Sequence, residues 1–254
     1  MALFYSNNPK ANEAAMTVSF GQLTNLKQHL NGNLTSITAP KKQDALWNYQ
    51  RIRYPYTRNL FECYVDFVHS LVSQENCNYI HGAIAICRSI HEIGAEWCWV
   101  HSDPNQANAK AERYGIRHDF HEKYKDINTE PPKPHFWYKT YDKKLQQINL
   151  DRELSSRLDN MSVHYPELPL KYTLLSGLLH GDPDKIPLMV IFNGGYNSEF
   201  ITCLLLTMNI YIATLIDIIT SDFIQHCCTE KQKENWQQFL SKFREKYNIF
   251  SPKN

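Results

Sequence analysis

The feature that most constrains the fold is the uncharged run FITCLLLTMNIYIATLI at 200–216. A run of this length lies at the short end of what a membrane-spanning helix needs. No Lys or Arg flanks it to set a topology. The buried central helix of a bundle accounts for the run equally well. We therefore predict a core helix and no membrane partner, since four polar residues also dilute the run: Thr202, Thr207, Asn209 and Thr214.

The glycine and proline counts favour helices over sheets. Of the 254 residues, 43% are hydrophobic and 21% are charged, which is ordinary for a globular protein. Only 9 glycines accompany 12 prolines, whereas all-β folds with many turns usually need more glycine. The composition therefore predicts an all-α fold.

The net charge limits the classes of binding partner, and the cysteine content indicates the cellular compartment. A net charge of +1 excludes a broad basic surface for binding nucleic acid. It is compatible with a local basic patch. The 7 cysteines are odd in number and no secretory signal precedes them. Reduced thiols are the simplest interpretation, so we expect a cytoplasmic protein.

Turn signals divide the chain into helical segments. Pro40 marks a break, so we predict an N-terminal extension at 1–40 and a single helical bundle domain at 41–254. The prolines of 129–134 require an extended loop, and the Gly-Asp-Pro of 181–183 is typical of a helix end. The predicted helices lie at 19–30, 57–74, 78–100, 105–126, 138–160, 168–180, 196–226 and 229–247.

The first candidate site lies on the apolar helix CRSIHEIGAEWCWV. Arg88 and Glu92 are four residues apart and share a face of that helix. A helix so apolar is largely buried, so its charged face meets a partner or a cavity. A buried ion pair adds little stability, so its presence suggests a functional role. The alternative is a structural ion pair that fixes the packing of the helix.

The second candidate site lies on YTLLSGLLHGDP, where polar residues recur every four positions. Tyr172, Ser176 and His180 form one polar stripe among leucines. A histidine there can act as a general acid or base, oriented by the serine or the tyrosine. The alternative is a histidine that caps its own helix.

A third segment could contact nucleic acid. Residues 41–58 are basic and carry interleaved aromatic side chains, and Arg51 and Arg53 are the candidate binding residues. Cations and aromatic rings together suit phosphates and bases. A solvated basic segment with aromatic anchors into the core explains the same pattern.

Two motifs resemble those of a bacterial family of helical proteins. That family shows Arg-Ser-x-x-Glu followed by Tyr-x-x-Leu-Ser-x-x-x-His-Gly, and this chain has RSIHE at 88–92 and YTLLSGLLHG at 172–181. The resemblance covers roughly residues 55–225. The family is similar to the HEPN superfamily, whose helical bundles often dimerise and in many cases cleave RNA in toxin–antitoxin, abortive-infection or CRISPR systems. The resemblance implies a homodimer, RNA or another nucleic acid as a partner, and a defence-system partner protein.

The chain departs from the HEPN catalytic motif, in which Arg precedes His by a few residues on one helix. Leu175 stands where the shortest spacing would place that arginine before His180. Arg88 could supply the guanidinium from a neighbouring helix. A literal Arg-x₄-His occurs between Arg113 and His118, but the segment is polar and Gly115 weakens a helix there. We interpret that match as a coincidence.

Other catalytic and metal signatures are missing. The chain has no Gly-rich phosphate loop, no G-x-S-x-G and no H-E-x-x-H. It also lacks C-x-x-C, so we expect no metal and no cofactor.

Two main functional hypotheses remain, with a structural scaffold as a weaker third. One is a metal-independent RNA-cleaving effector of bacterial antiviral defence, with Arg88, Glu92, Ser176 and His180 as catalytic residues. Its alternative is a non-catalytic HEPN-like module that binds nucleotide, nucleic acid or a partner protein. In either case Tyr172, Arg51 and Arg53 are the expected binding residues.

Overall fold

The structure is a computed structural model, and helices make up nearly all of its regular secondary structure. It describes residues 9–33, 44–73, 79–111, 135–139, 145–149, 157–159, 161–162, 172–190 and 197–247. The helices are α1 (Pro9–Asn33), α2 (Ala45–Ser73), α3 (Ile80–His101), α4 (Tyr172–His180), α5 (Ile186–Met189), α6 (Ser198–Cys227) and α7 (Glu230–Tyr247), and the strands are β1 (His135–Lys139) and β2 (Leu145–Asn149). This architecture confirms the predicted all-α class.

The chain divides into two compact units. The first comprises 1–38, 54–91 and 167–254, and the second comprises 39–53 and 92–166. Helices α2 and α3 contribute to both units. The division differs from the predicted one, because α1 belongs to the core of the first unit and not to a separate extension: Leu23, Leu26 and Leu30 are buried.

Helix α6 forms the centre of the first unit. It is 30 residues long and is the one helix in the described part of the chain that is long and apolar enough to cross a membrane. However, 72% of its most apolar window is buried against the rest of the protein, as in a core helix. Asn197 caps its first turn, since the side-chain oxygen accepts a hydrogen bond from the amide of Phe200 at 3.1 Å.

The polar residue in the middle of α6 is fully satisfied. Asn209 is 0% exposed, and its Oδ1 accepts a hydrogen bond from the hydroxyl of Tyr64 at 2.8 Å. Its Nδ2 donates to Ser19 Oγ at 3.1 Å. A buried amide costs free energy unless it is hydrogen-bonded. Partners from α1 and α2 therefore explain how a polar side chain is accommodated in the most apolar helix.

A buried ion cluster organises the second unit. Glu96 accepts hydrogen bonds from Arg53 Nε at 3.0 Å and Arg53 Nη2 at 3.2 Å, which is a bidentate pair. Arg157 Nη1 donates to the same carboxylate at 3.4 Å. Two arginines thus pair with one buried carboxylate.

Three helix predictions differ from the structure. Helix α1 begins at Pro9, well before the predicted position 19. Helix α2 begins at Ala45, upstream of the predicted position 57, and contains Pro55. The helix therefore continues through a residue that removes one main-chain hydrogen bond. The predicted helix at 138–160 is wrong over 138–139 and 145–149, because these residues belong to β1 and β2, which pair in an antiparallel hairpin.

The remaining predicted helices are present with shifted ends. Residues 107–111 are helical, as predicted for 105–126, and α3, α4, α6 and α7 match their predictions closely. The loop at 129–134 and the Arg113–His118 pair lie outside the described residues.

A close approach between α2 and α3 supplies a test of packing in the first unit. A Cβ added at Gly82 would lie 2.7 Å from Phe67 Cδ1, inside van der Waals contact. We expect Gly82→Ala to destabilise the protein by about 1–3 kcal/mol, because the overpacking exceeds the gain in helix propensity. Urea unfolding measures the difference.

Gly32→Ala in α1 is the matched control, since nothing lies within 4 Å of its added Cβ. It should be neutral or stabilising by up to about 1 kcal/mol. Equal effects of the two substitutions would contradict the proposed close packing.

Candidate functional site

Helices α3 and α4 place the two central candidate residues in contact within the first unit. Arg88 Nη1 lies 2.8 Å from His180 Nε2. These residues are 92 positions apart in the chain. A guanidinium from α3 thus lies beside the histidine at the end of α4.

The chemistry of the two groups sets their roles in this contact. A guanidinium carries only donors, so Arg88 donates and Nε2 of the imidazole accepts. A neutral histidine with a lone pair on Nε2 is the form that a general base requires.

Tyr172 completes the cluster. Arg88 Nη2 donates to the Tyr172 hydroxyl at 2.7 Å, and Cζ of the same arginine lies 5.2 Å from the ring centroid. His180 is exposed, whereas Arg88 and Tyr172 are half-buried. The arginine is therefore held from two sides while the histidine faces solvent. We call Arg88, Tyr172 and His180 the Arg–His–Tyr cluster.

The end of α4 fixes the position of His180. Gly181 has φ +72°, a left-handed conformation that glycine adopts without strain. The amide of Asp182 donates to the carbonyl of Gly177 at 2.9 Å, which closes the helix in a Schellman motif. Asp182 also pairs with Lys185, whose Nζ would lie 2.7 Å from a Cβ added at Gly177. The helix therefore ends at His180.

His91 is a neighbour of the cluster that sequence reasoning did not single out. It is 2% exposed and stacks on Tyr211 with a centroid distance of 5.2 Å. Its ring centroid lies 5.8 Å from that of Tyr172. Burial lowers the pKa of His91 from 6.5 to about 4, because the charged imidazolium is poorly solvated there. The sequence signal was its position one turn after Arg88.

Of the other predicted site residues, Ser176 belongs to the first unit, and Arg51 and Arg53 belong to the second. Ser176 is half-buried and, among the described residues, makes no hydrogen bond to the cluster. Glu92 falls in the second unit. Arg51 is exposed, with its Cζ 4.8 Å from the Trp47 ring centroid. Arg53 forms the ion pair with Glu96, so its role in binding nucleic acid stays a prediction.

Metal ligands are not grouped in the part of the chain that the structure describes. No set of three or more His, Cys, Asp or Glu side chains is placed to hold an ion there. The described cysteines are free thiols: Cys63, Cys87, Cys98, Cys203, Cys227 and Cys228.

Comparison of the chain with models of protein families, with characterised proteins and with solved structures finds no match. The functional assignment therefore depends on the geometry of the site.

The environment of His91 predicts that the protein loses stability in acid. The folded-state pKa lies below the unfolded value of 6.5, so the unfolded chain binds the proton more readily. The stability due to neutral His91 is present above pH 6.5 and is lost as the pH falls toward 4. We expect a loss of about 2 kcal/mol between pH 7 and pH 5.

His91→Phe is the informative comparison, because it keeps a ring against Tyr211 but has no proton to gain. Urea unfolding at pH 7 and pH 5 should show a smaller loss for His91→Phe than for the wild type. An identical pH dependence of the two proteins would exclude His91 as the cause.

Proposed function

We propose that the Arg–His–Tyr cluster cleaves RNA without a metal ion. The observation that supports this function best is the 2.8 Å contact between Arg88 Nη1 and His180 Nε2. A base and a guanidinium at this distance can act on the two centres of one phosphodiester, the attacking hydroxyl and the phosphate.

The reaction begins when the substrate replaces one protein contact. A phosphate oxygen is a stronger acceptor for a guanidinium than a neutral imidazole, because the hydrogen bond is charge-assisted. Arg88 then donates its Nη1 hydrogen bond to the phosphate instead of to His180. The lone pair on Nε2 of His180 becomes available to accept a proton. The released lone pair lies beside the bound phosphate, where the 2′-hydroxyl of RNA is located.

The chemical step is an internal transesterification. His180 accepts the proton of the 2′-hydroxyl, the 2′-oxygen forms a bond to phosphorus, and the bond from phosphorus to the 5′-oxygen breaks. Arg88 stabilises the negative charge that develops on the phosphate oxygens. The products are a 2′,3′-cyclic phosphate and a 5′-hydroxyl.

Tyr172 suits protonation of the leaving oxygen. Its hydroxyl oxygen accepts from Arg88, so its own O–H is oriented as a donor. It gives its proton to the 5′-oxygen and regains one from solvent, while His180 releases its proton to solvent. The step therefore balances without a metal or a cofactor.

The proposal extends to the biological setting that the sequence motifs imply. It places the chain among cytoplasmic HEPN-like effectors of antiviral defence, acting as a homodimer with two clusters and with a defence-system partner protein. The chain differs from such effectors in one respect, since the arginine comes from α3 and the histidine from α4.

Cleavage of a labelled oligoribonucleotide tests the proposal. His180→Ala should lower the rate by roughly 10²–10⁴-fold, the contribution of a general base. Arg88→Ala should cost roughly 10²–10³-fold, by analogy with removal of one donor to a developing oxyanion. Tyr172→Phe should have a smaller effect, and a substrate with a single 2′-deoxynucleotide at the cleavage site should remain intact.

His81→Ala is the matched control, because His81 is an exposed histidine of the same helix, about two helical turns before Arg88. Its rate should equal that of the wild type. Wild-type protein that cuts no RNA, or a fully active His180→Ala variant, would refute the proposal.

A non-catalytic binding module is the second candidate, and one observation favours it. The lone pair of His180 Nε2 is occupied by Arg88 in the structure. If the pair serves only to bind an anion, RNA should bind without being cut. Arg88→Ala should then weaken binding, while Arg88→Lys should preserve part of it.

A further inference from the structure

An exposed apolar surface follows the Arg–His–Tyr cluster in the first unit. Ile186 is 41% exposed, Leu188 is 42% exposed and Val190 is 38% exposed. These residues belong to α5 and to the position that follows it, and we call them the α5 patch. Single exposed apolar side chains are ordinary on a protein surface, whereas several on one short segment point to a binding partner.

Main-chain hydrogen bonds hold the α5 patch in place. The amides of Lys185 and Ile186 donate to the carbonyl of Asp182, at 2.9 and 3.0 Å. At the other end, the amide of Asn197 donates to the carbonyl of Met189 at 2.8 Å. Met189 itself is 3% exposed and anchors α5 in the core. The exposed side chains therefore stand on a fixed backbone between α4 and α6.

One member of the patch contacts the residue beside His180. Ile186 Cδ1 lies 3.6 Å from the position that a Cβ would take on Gly181. Gly181 is exposed and directly follows His180 in the chain. Since glycine has no side chain, the surface over residue 181 is open to a ligand. The α5 patch therefore adjoins the end of α4 that carries the histidine.

The charges of the same segment favour an uncharged ligand group. Residues 181–190 carry two carboxylates, Asp182 and Asp184, and one ammonium group, Lys185. Lys185 is paired with Asp182, and Asp184 is exposed. A phosphate placed here would meet an excess of negative charge, whereas the face of a nucleobase is neutral and apolar. The segment thus suits the base of a nucleotide and not its phosphate.

We propose that the α5 patch receives the base of the nucleotide whose 2′-hydroxyl reacts, and that the substrate is single-stranded RNA. This inference rests on the proposed function, in which His180 accepts the proton of that hydroxyl. One ribose joins the hydroxyl to the base, so a sugar at His180 brings its base over Gly181 and Ile186. Aliphatic side chains form no hydrogen bonds, so they contact the face of the base and not its edge.

Contact with the face of a base selects against duplex RNA. Bases in a duplex stack on both faces, and the grooves of an A-form helix present only their edges. In a single strand or a loop, a base can unstack and bury one face on the patch. We therefore expect faster cleavage of single strands than of duplexes. Purines should be favoured over pyrimidines, because they bury more apolar area.

Binding of a short single-stranded oligoribonucleotide with 2′-fluoro groups tests the inference apart from cleavage, since it has no hydroxyl to react. Ile186→Ser and Leu188→Ser should each raise Kd by about three- to tenfold, because less apolar area is buried. Ile186→Leu keeps an aliphatic side chain and should bind like the wild type. Fluorescence anisotropy of the labelled oligonucleotide with the full chain measures Kd.

Val18→Ser is the matched control, because Val18 is an aliphatic residue of α1 that is 50% exposed. It should leave Kd unchanged. An oligonucleotide with abasic residues throughout keeps the sugars and phosphates but has no base to place on the patch. The wild type and Ile186→Ser should therefore bind the abasic strand equally well.

The outcomes separate this inference from the proposed function. If the wild type cuts single strands and duplexes at the same rate, and Ile186→Ser binds the 2′-fluoro strand like the wild type, the inference is overturned while the nuclease stands. If the wild type cuts no RNA but Ile186→Ser alone weakens binding, the base-binding patch stands while the nuclease fails. A dimer that Ile186→Ser dissociates in sedimentation, without a change in Kd, would assign the patch to a second copy and overturn the inference.

Discussion

The burial of α6 is the constraint on which the first unit depends. An apolar helix of 30 residues must be covered on most of its surface, because removal of apolar area from water is the main favourable contribution to folding. Helices α1 and α7 pack against it within this unit, and the leucines of α1 are fully buried. The candidate site is built on helices of the same unit.

The cluster depends on this packing through two aromatic contacts. Tyr211 of α6 stacks on His91, and the ring of His91 lies beside Tyr172. The core helix is thus linked through two aromatic contacts to the residue that orients Arg88. The proposed reaction requires such a rigid scaffold behind the cluster, because small displacements of the reacting groups are costly.

Local patterns were sufficient to predict most helices and to single out Arg88, Tyr172 and His180 as candidate residues. The Gly-Asp-Pro stop after His180 correctly predicted the end of α4, because the left-handed conformation of a glycine is a local property. The start of α2 was missed, since Pro55 stands inside the helix. The β1–β2 hairpin was missed because a strand is stabilised by its partner, which the periodicity of one short segment does not contain.

Contacts across long stretches of chain could only be hypothesised. The contact of Arg88 with His180 joins residues 92 positions apart, and no spacing rule connects them. The same holds for Arg53, whose basic sequence context suggests binding to phosphate. Its guanidinium pairs instead with the carboxylate of Glu96, 43 positions away.

The hydrogen bonds of Asn209 have a consequence for the specificity of the fold. A surface of leucine and isoleucine can slide along its neighbours by one helical turn with little loss of apolar contact. Such a shift would separate Asn209 from Tyr64 and Ser19 and would leave a buried amide without partners. One polar side chain thus excludes the misaligned packings that an entirely aliphatic helix would allow, at the position where α1, α2 and α6 meet.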